Sequence, residues 1–211
     1  MKKAALFDLD GVVFDTESQY TEFWGSVFRH YYPDQPGLEH KIKGSTLVQI
    51  YDLYFADRPA DQTHITDQLN DFERHMRYNY VPGFETFVRD LRKQGVKTAV
   101  VTSSNVEKML NVYRSHPDFP QLFDAVLTSQ AFSKSKHAPE VYLRGGARLG
   151  LSAADCVGFE DSVNGLKALN AARMFTVGLD TTNTRRVVEQ YADLVVSDFT
   201  DPQLWQRILL S

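Results

Sequence analysis

The chain has 211 residues, with 23 basic and 27 acidic side chains and a net charge of −4. That balance excludes the positive field a nucleic-acid or anionic-membrane binder needs, and no apolar run is long enough for a bilayer span or for a signal-peptide core after Lys2 and Lys3. A cytoplasmic protein is expected, and the single cysteine, Cys156, set in an apolar run, reads as a small buried hydrophobe with no disulfide partner in the chain.

The first element is an apolar run at 4–7 that stops at Asp8, with Asp10 and Gly11 following. A strand emptying into a loop fits this pattern, and residues two apart in an extended segment point the same way, so Asp8 and Asp10 can face one pocket. Two close carboxylates do not both ionise cheaply, so a divalent cation or a shared proton is implied. Taken alone, the motif reads equally well as a solvated acidic turn.

From Thr16 the texture becomes helical. Tyr20, Phe23, Trp24, Val27, Phe28 and Tyr31 recur at three- and four-residue steps, with Thr16 or Ser18 as cap and Pro33, Pro36 and Gly37 as terminators. A second helix carries Leu47, Ile50, Tyr51 and Leu53 and breaks at Pro59; a third follows Asp61 and carries Ile65, Leu69, Phe72, Met76 and Tyr80. Residues 16–80 are thus expected to form an inserted all-helical cap domain within a core built from 1–15 and 81–211. Aromatic stripes at this spacing are usually core rather than a stacking surface for substrate.

After Pro82 and Gly83 helix and strand alternate. The spacing predicts a helix over 84–94, a strand over 97–101 ending at Thr102, Ser103, Ser104 and Asn105, and a helix over 106–114. Hydroxyls before a helix start can bind an anion, although most such residues are plain caps. Next come a strand at 125–128, a loop with Lys134 and Lys136 that nothing local tells apart, and a helix over 141–149. A strand at 155–159 runs into Glu160 and Asp161, and a helix over 165–172, strands at 174–178 and 193–196 and a helix at 204–210 complete the pattern. The fold class is α/β, a doubly wound, Rossmann-like parallel sheet with a helical insertion. In such a sheet the strand tips open on one edge, so two acids, hydroxyls, a lysine and two more acids would converge on one cleft. Acids suit a hard cation and the lysine and hydroxyls suit phosphate oxygens, which points to phosphoryl transfer.

In this order FDLDGVVFDT, the turn Pro82-Gly83-Phe84, VVTSSN, SKHAPEVYL and GFEDSVNGLKAL resemble the haloacid dehalogenase superfamily, in its branch with a small helical cap that includes β-phosphoglucomutase-like phosphatases. The resemblance implies a nucleophile at Asp8 that forms an aspartyl-phosphate, a general acid and base at Asp10, a phosphoryl-holding hydroxyl at Thr102 and a catalytic lysine at Lys136. It implies Mg²⁺ held by Asp8, Asp10, Glu160 and Asp161. Ser103, Ser104, Asn105, Gly44 and Ser45 become candidate substrate contacts, with Gly44, Ser45 and Thr46 in a loop closing over the substrate and hinges near Asp15 and residues 80–82. The second aspartate argues for phosphate chemistry, since the dehalogenases of the superfamily lack it. Tyr20 and Leu47 stand where true mutases carry a cap histidine and an arginine, so hydrolysis of a small phosphorylated metabolite, such as a sugar phosphate, is favoured over a phospho-sugar mutase or a non-catalytic binding module. His137 and Arg173 depart from the family pattern. The remaining histidines show no metal-ligand spacing and read as surface or cap-packing residues. A monomer or weak dimer is expected.

Overall fold

Among the described residues six strands, β1 (Ala4–Phe7), β2 (Lys97–Val101), β3 (Ala125–Leu127), β4 (Cys156–Glu160), β5 (Phe175–Leu179) and β6 (Leu194–Val196), form one parallel sheet in the order β3-β2-β1-β4-β5-β6. The computed structural model describes residues 2–132 and 138–209. Every residue of β1 is buried, as a central strand covered on both faces requires. Ala5 and Phe7 belong to one apolar layer with α5 (Phe84–Lys93), α6 (Val106–Ser115) and α10 (Gln203–Leu209), where Phe7 stacks on Phe159 with ring centroids 4.5 Å apart. Ala4 and Leu6 belong to the opposite layer with α7 (Glu140–Arg148) and α8 (Val163–Ala171).

The register sets Phe7 beside Phe159 of β4 and beside Val100 of β2. Since β2 and β4 flank β1 while the chain order reverses between β1 and β4, the tips of these two strands form the topological switch point, where open α/β sheets place their ligands.

Four helices come between β1 and α5: α1 (Glu17–Tyr31), α2 (Leu38–Lys41), α3 (Leu47–Tyr54) and α4 (Pro59–His75). Trp24, Phe28, Ile50, Phe55, Ile65 and Leu69 build a separate apolar cluster among them, so most of the aromatic stripe is core. The expected helix carrying Tyr80 stops at His75, and α2, like α9 (Arg185–Val188), is too short to show a helical period.

The two connectors to this helical layer run side by side. Phe14 and Tyr80 form an antiparallel bridge and stack at 4.8 Å, the Asp15 N–H donates to Asn79 O at 2.8 Å, and the Val81 N–H donates to Val13 O at 3.0 Å. His116 packs against the connectors: its ring stacks on Phe14 and its Nε2 lies 2.7 Å from Tyr78 O, so it braces them from the C-terminal end of α6. The other histidines among the described residues, at 30, 40, 64 and 75, are exposed. Cys156 is fully buried, and burial pushes its thiol up to about 11. Among the described residues no helix is long and apolar enough to cross a membrane.

Candidate active site

The Asp8 N–H donates to Phe159 O at 3.0 Å, which carries the β1–β4 ladder one step past the end of β1. This brings Asp8 to the tip of β4, and Asp8, Glu160 and Asp161 each offer a carboxylate oxygen within 4.8 Å of the others. All three are buried. Burial, followed by the charges of Glu160, Glu17 and Asp8, holds the Asp161 carboxyl well above the ordinary carboxylate range, although a hydrogen bond from the Thr182 hydroxyl opposes the shift. An all-oxygen set of crowded acids is the donor chemistry that a hard divalent cation takes.

The local packing fixes this group. Tyr142 donates its hydroxyl to Glu160 Oε1 at 2.6 Å, and the N–H groups of Asp161 and Ser162 donate to Oε2 at 3.1 Å each. Gly165, in the first turn of α8, leaves room for that carboxylate, because a Cβ there would lie 1.9 Å from Oε1. Gly11 has φ +73°, and a Cβ on it would come within 2.0 Å of Asp161 Oδ2, so the turn after Asp10 needs glycine twice over.

Asp10 faces another way. Its Oδ1 accepts from the Thr16 hydroxyl at 2.7 Å and from Lys108 Nζ at 2.6 Å, while Oδ2 accepts from the Ser104 hydroxyl at 3.2 Å and again from Lys108 at 2.6 Å. Among the described residues the close carboxylate group therefore contains Asp8, Glu160 and Asp161 without the Asp10 side chain.

At the tip of β2, Thr102 is buried and its hydroxyl accepts from the Ser104 N–H at 3.0 Å. Asn105 caps α6 through Oδ1, which accepts from the Lys108 N–H at 2.8 Å. From the helical layer, Gly44 at φ +75° presents its carbonyl to Asn164 Nδ2 at 3.1 Å, directly above the start of α8, and Thr46 caps α3. Asp8, Asp10, Thr102, Ser103, Ser104, Asn105, Gly44, Ser45 and Asp161 all line one cavity of about 780 Å³ between the sheet edge and the helical layer. Glu160 does not line it. Lys136, with Lys134 and His137, lies outside the described residues.

Several side chains of this site, Thr182 among them, were given no place in it by the sequence. Thr16 reads there as a helix cap, Tyr20 as packing or as a substitute for a mutase histidine, and Glu73 and Lys108 not at all. The one signal for Lys108 is its place three residues after a capping asparagine, which turns its side chain back over the strand tip.

The family model described as haloacid dehalogenase-like hydrolase matches residues 2–173. The chain is 28% identical to hexitol phosphatase B of Escherichia coli, covering 94% of this chain and 93% of that protein, and 26% identical to β-phosphoglucomutase of Bacillus subtilis, covering 92% of each. Among solved structures, a family IA hydrolase of the same superfamily from Entamoeba histolytica superposes with a TM-score of 0.84 over 99% of this chain and 98% of that one, at 19% identity, and shares its fold. With the acid-tipped strands at the switch point and a family match that spans most of the sequence, the chain belongs to the haloacid dehalogenase-like hydrolases.

Proposed function

We propose that this hydrolase is a Mg²⁺-dependent phosphatase that removes phosphate from a small phosphorylated metabolite, of sugar-phosphate type, through an aspartyl-phosphate on Asp8. The observation that carries the reading is that one cavity is lined by Asp8 and Asp161, two members of the buried group they form with Glu160, and by the separately held Asp10. The relatives named above act on hexitol phosphates and phosphoglucose by their names, and a cavity of about 780 Å³ has room for such a molecule.

In the first displacement a carboxylate oxygen of Asp8 attacks phosphorus, the bond from phosphorus to the ester oxygen breaks, and the departing oxygen takes its electron pair and a proton from Asp10. In the second, water attacks the same phosphorus, its proton passes to Asp10, and the electron pair of the acyl phosphate returns to Asp8. The acid step spares the alcohol a full negative charge and is typically worth ~10²–10⁴-fold. Asp8, Glu160 and Asp161 would hold the cation, which when bound offsets the charge of the phosphoryl oxygens. Thr102 and Lys136 bind phosphoryl oxygens in this reading, and Ser103, Ser104, Asn105, Gly44 and Ser45 line the substrate. Residues 16–80 serve as the cap, with the paired connectors at Phe14 and Tyr80 as its hinge.

Phosphate release from a panel of sugar phosphates, polyol phosphates, nucleotides and pyrophosphate, with Mg²⁺ and with chelator, tests the reading. Chelator-sensitive release that Asp8→Asn abolishes in a folded protein is expected. Isomerisation of sugar phosphates that depends on added bisphosphate, without net release, would replace it with a mutase.

A further inference from the structure

Lys108 is buried, its side chain only 3% exposed, and it is ion-paired with Asp10. Burying an ammonium is costly unless its donors are met. Here its three protons match three acceptors: Oδ1 and Oδ2 of Asp10 at 2.6 Å each, and the Tyr20 hydroxyl. Tyr20 in turn donates to Glu73 Oε1 at 2.7 Å, and its ring lies 4.6 Å from the ammonium. Glu73 is itself buried.

The residues come from three elements. Lys108 stands on α6, which starts from the β2 tip; Tyr20 and Glu73 stand on α1 and α4 of the helical layer. The ammonium bridges both oxygens of one carboxylate and is tethered on its remaining side, so its position is set by Asp10 and by the helical layer together. A cation meant chiefly for substrate phosphate would keep a donor free toward the cavity.

We propose that Lys108 is a positioning residue for Asp10, anchored by the Tyr20–Glu73 pair, and that it fixes the acid-base carboxylate on the leaving-group oxygen. This rests on the phosphatase reading above and adds to it a residue outside the sequence motifs of the family resemblance.

The test compares wild type, Lys108→Met and Lys108→Arg on the sugar phosphate that wild type hydrolyses fastest and on p-nitrophenyl phosphate, whose nitrophenolate leaves without acid assistance. With Lys108→Met, kcat for the sugar phosphate should fall on the order of 100-fold while KM stays within about threefold. On the aryl ester the first turnover should survive as a burst of nitrophenolate, followed by slow steady release, because only the second displacement still needs Asp10. Lys108→Arg should restore part of the sugar-phosphate kcat.

A kcat within about twofold of wild type, a rise in KM alone, or equal loss of burst and sugar-phosphate turnover would overturn the proposal. Should Lys108→Met fail to fold, Tyr20→Phe cuts the tether and keeps the ring; a kcat loss on the sugar phosphate with the burst intact is expected, and unchanged kinetics on both esters would overturn it. Absence of phosphate release by wild type on either ester would instead remove the phosphatase reading itself, and the proposal with it.

Discussion

The hydroxyl of Thr16 donates to Asp10 Oδ1 at 2.7 Å, although Thr16 occupies the N-cap position of α1. Its backbone is at φ −110° and ψ −14°, and its side chain makes no capping bond to the helix. The residue that begins the helical layer is therefore bonded to the carboxylate that precedes it by six positions.

Thr16→Val separates these two roles. Loss of a true N-cap costs ~1 kcal/mol of stability, and here that bond is absent already. The stability cost should come only from the bond to Asp10, about 1 kcal/mol, while kcat falls by roughly tenfold as Asp10 loses one of its supports. Thermal melting together with steady-state kinetics checks this, and Thr16→Ser should recover most of the activity.

Divalent cation should stabilise the protein apart from any turnover. Asp8, Glu160 and Asp161 crowd one buried space, and the Asp161 carboxyl is pushed up by burial and by its acidic neighbours. At a Mg²⁺ concentration of about 100 times Kd, binding to the folded state alone adds ~2.7 kcal/mol, a rise of several degrees in melting temperature. Asp161→Asn should melt higher than wild type in chelator, since the repulsion is relieved, and should gain little from Mg²⁺. Equal Mg²⁺ shifts in both proteins would place the cation elsewhere.

Gly165→Ala should run against helix propensity. In the interior of an exposed helix alanine is favoured over glycine by ~1 kcal/mol. At this position the added methyl would lie 1.9 Å from Glu160 Oε1, and that carboxylate is held by Tyr142, Ser162 and two backbone N–H groups, so it cannot swing aside freely. Overpacking of about 1–3 kcal/mol should win, giving a lower melting temperature and a smaller Mg²⁺ shift.

How far the sequence could be read follows from which patterns are local. The strands at β1, β2 and β4 are apolar runs that stop at polar residues, so their tips, and with them Asp8, Thr102 and Asp161, are visible in one dimension. The parallel order then brings those tips together, because one register places Phe7 beside both Phe159 and Val100. Side chains that act across elements leave no such trace. Lys108 and Asp10 are 98 residues apart, Tyr20 and Glu73 are 53 apart, and each fits an ordinary helix position when taken alone. The overrun of the third helix toward Tyr80 has a similar cause: an aromatic at helical spacing looks the same whether it continues α4 or stacks on Phe14 in the connector.

Glu73 supplies a pH-dependent test of the buried network. Burial raises its carboxyl above the ordinary value of 4.5, and the opposing pull of Lys108 and of the Tyr20 hydrogen bond does not cancel the rise. A group whose folded-state value is raised holds its proton more tightly in the fold than in the unfolded chain, so its stabilising contribution is complete below pH 4.5 and is lost as the pH climbs through the folded-state value. Glu73→Gln keeps an acceptor for the Tyr20 hydroxyl and cannot ionise. Its melting temperature relative to wild type should therefore be lowest in acid, climb as the pH passes upward through the folded-state value, and level off above it. Melting both proteins from about pH 4 to about pH 8 measures this difference. The reverse slope, with the variant losing ground as the pH rises, would mean that the attraction between ionised Glu73 and Lys108 outweighs the cost of burying the charge.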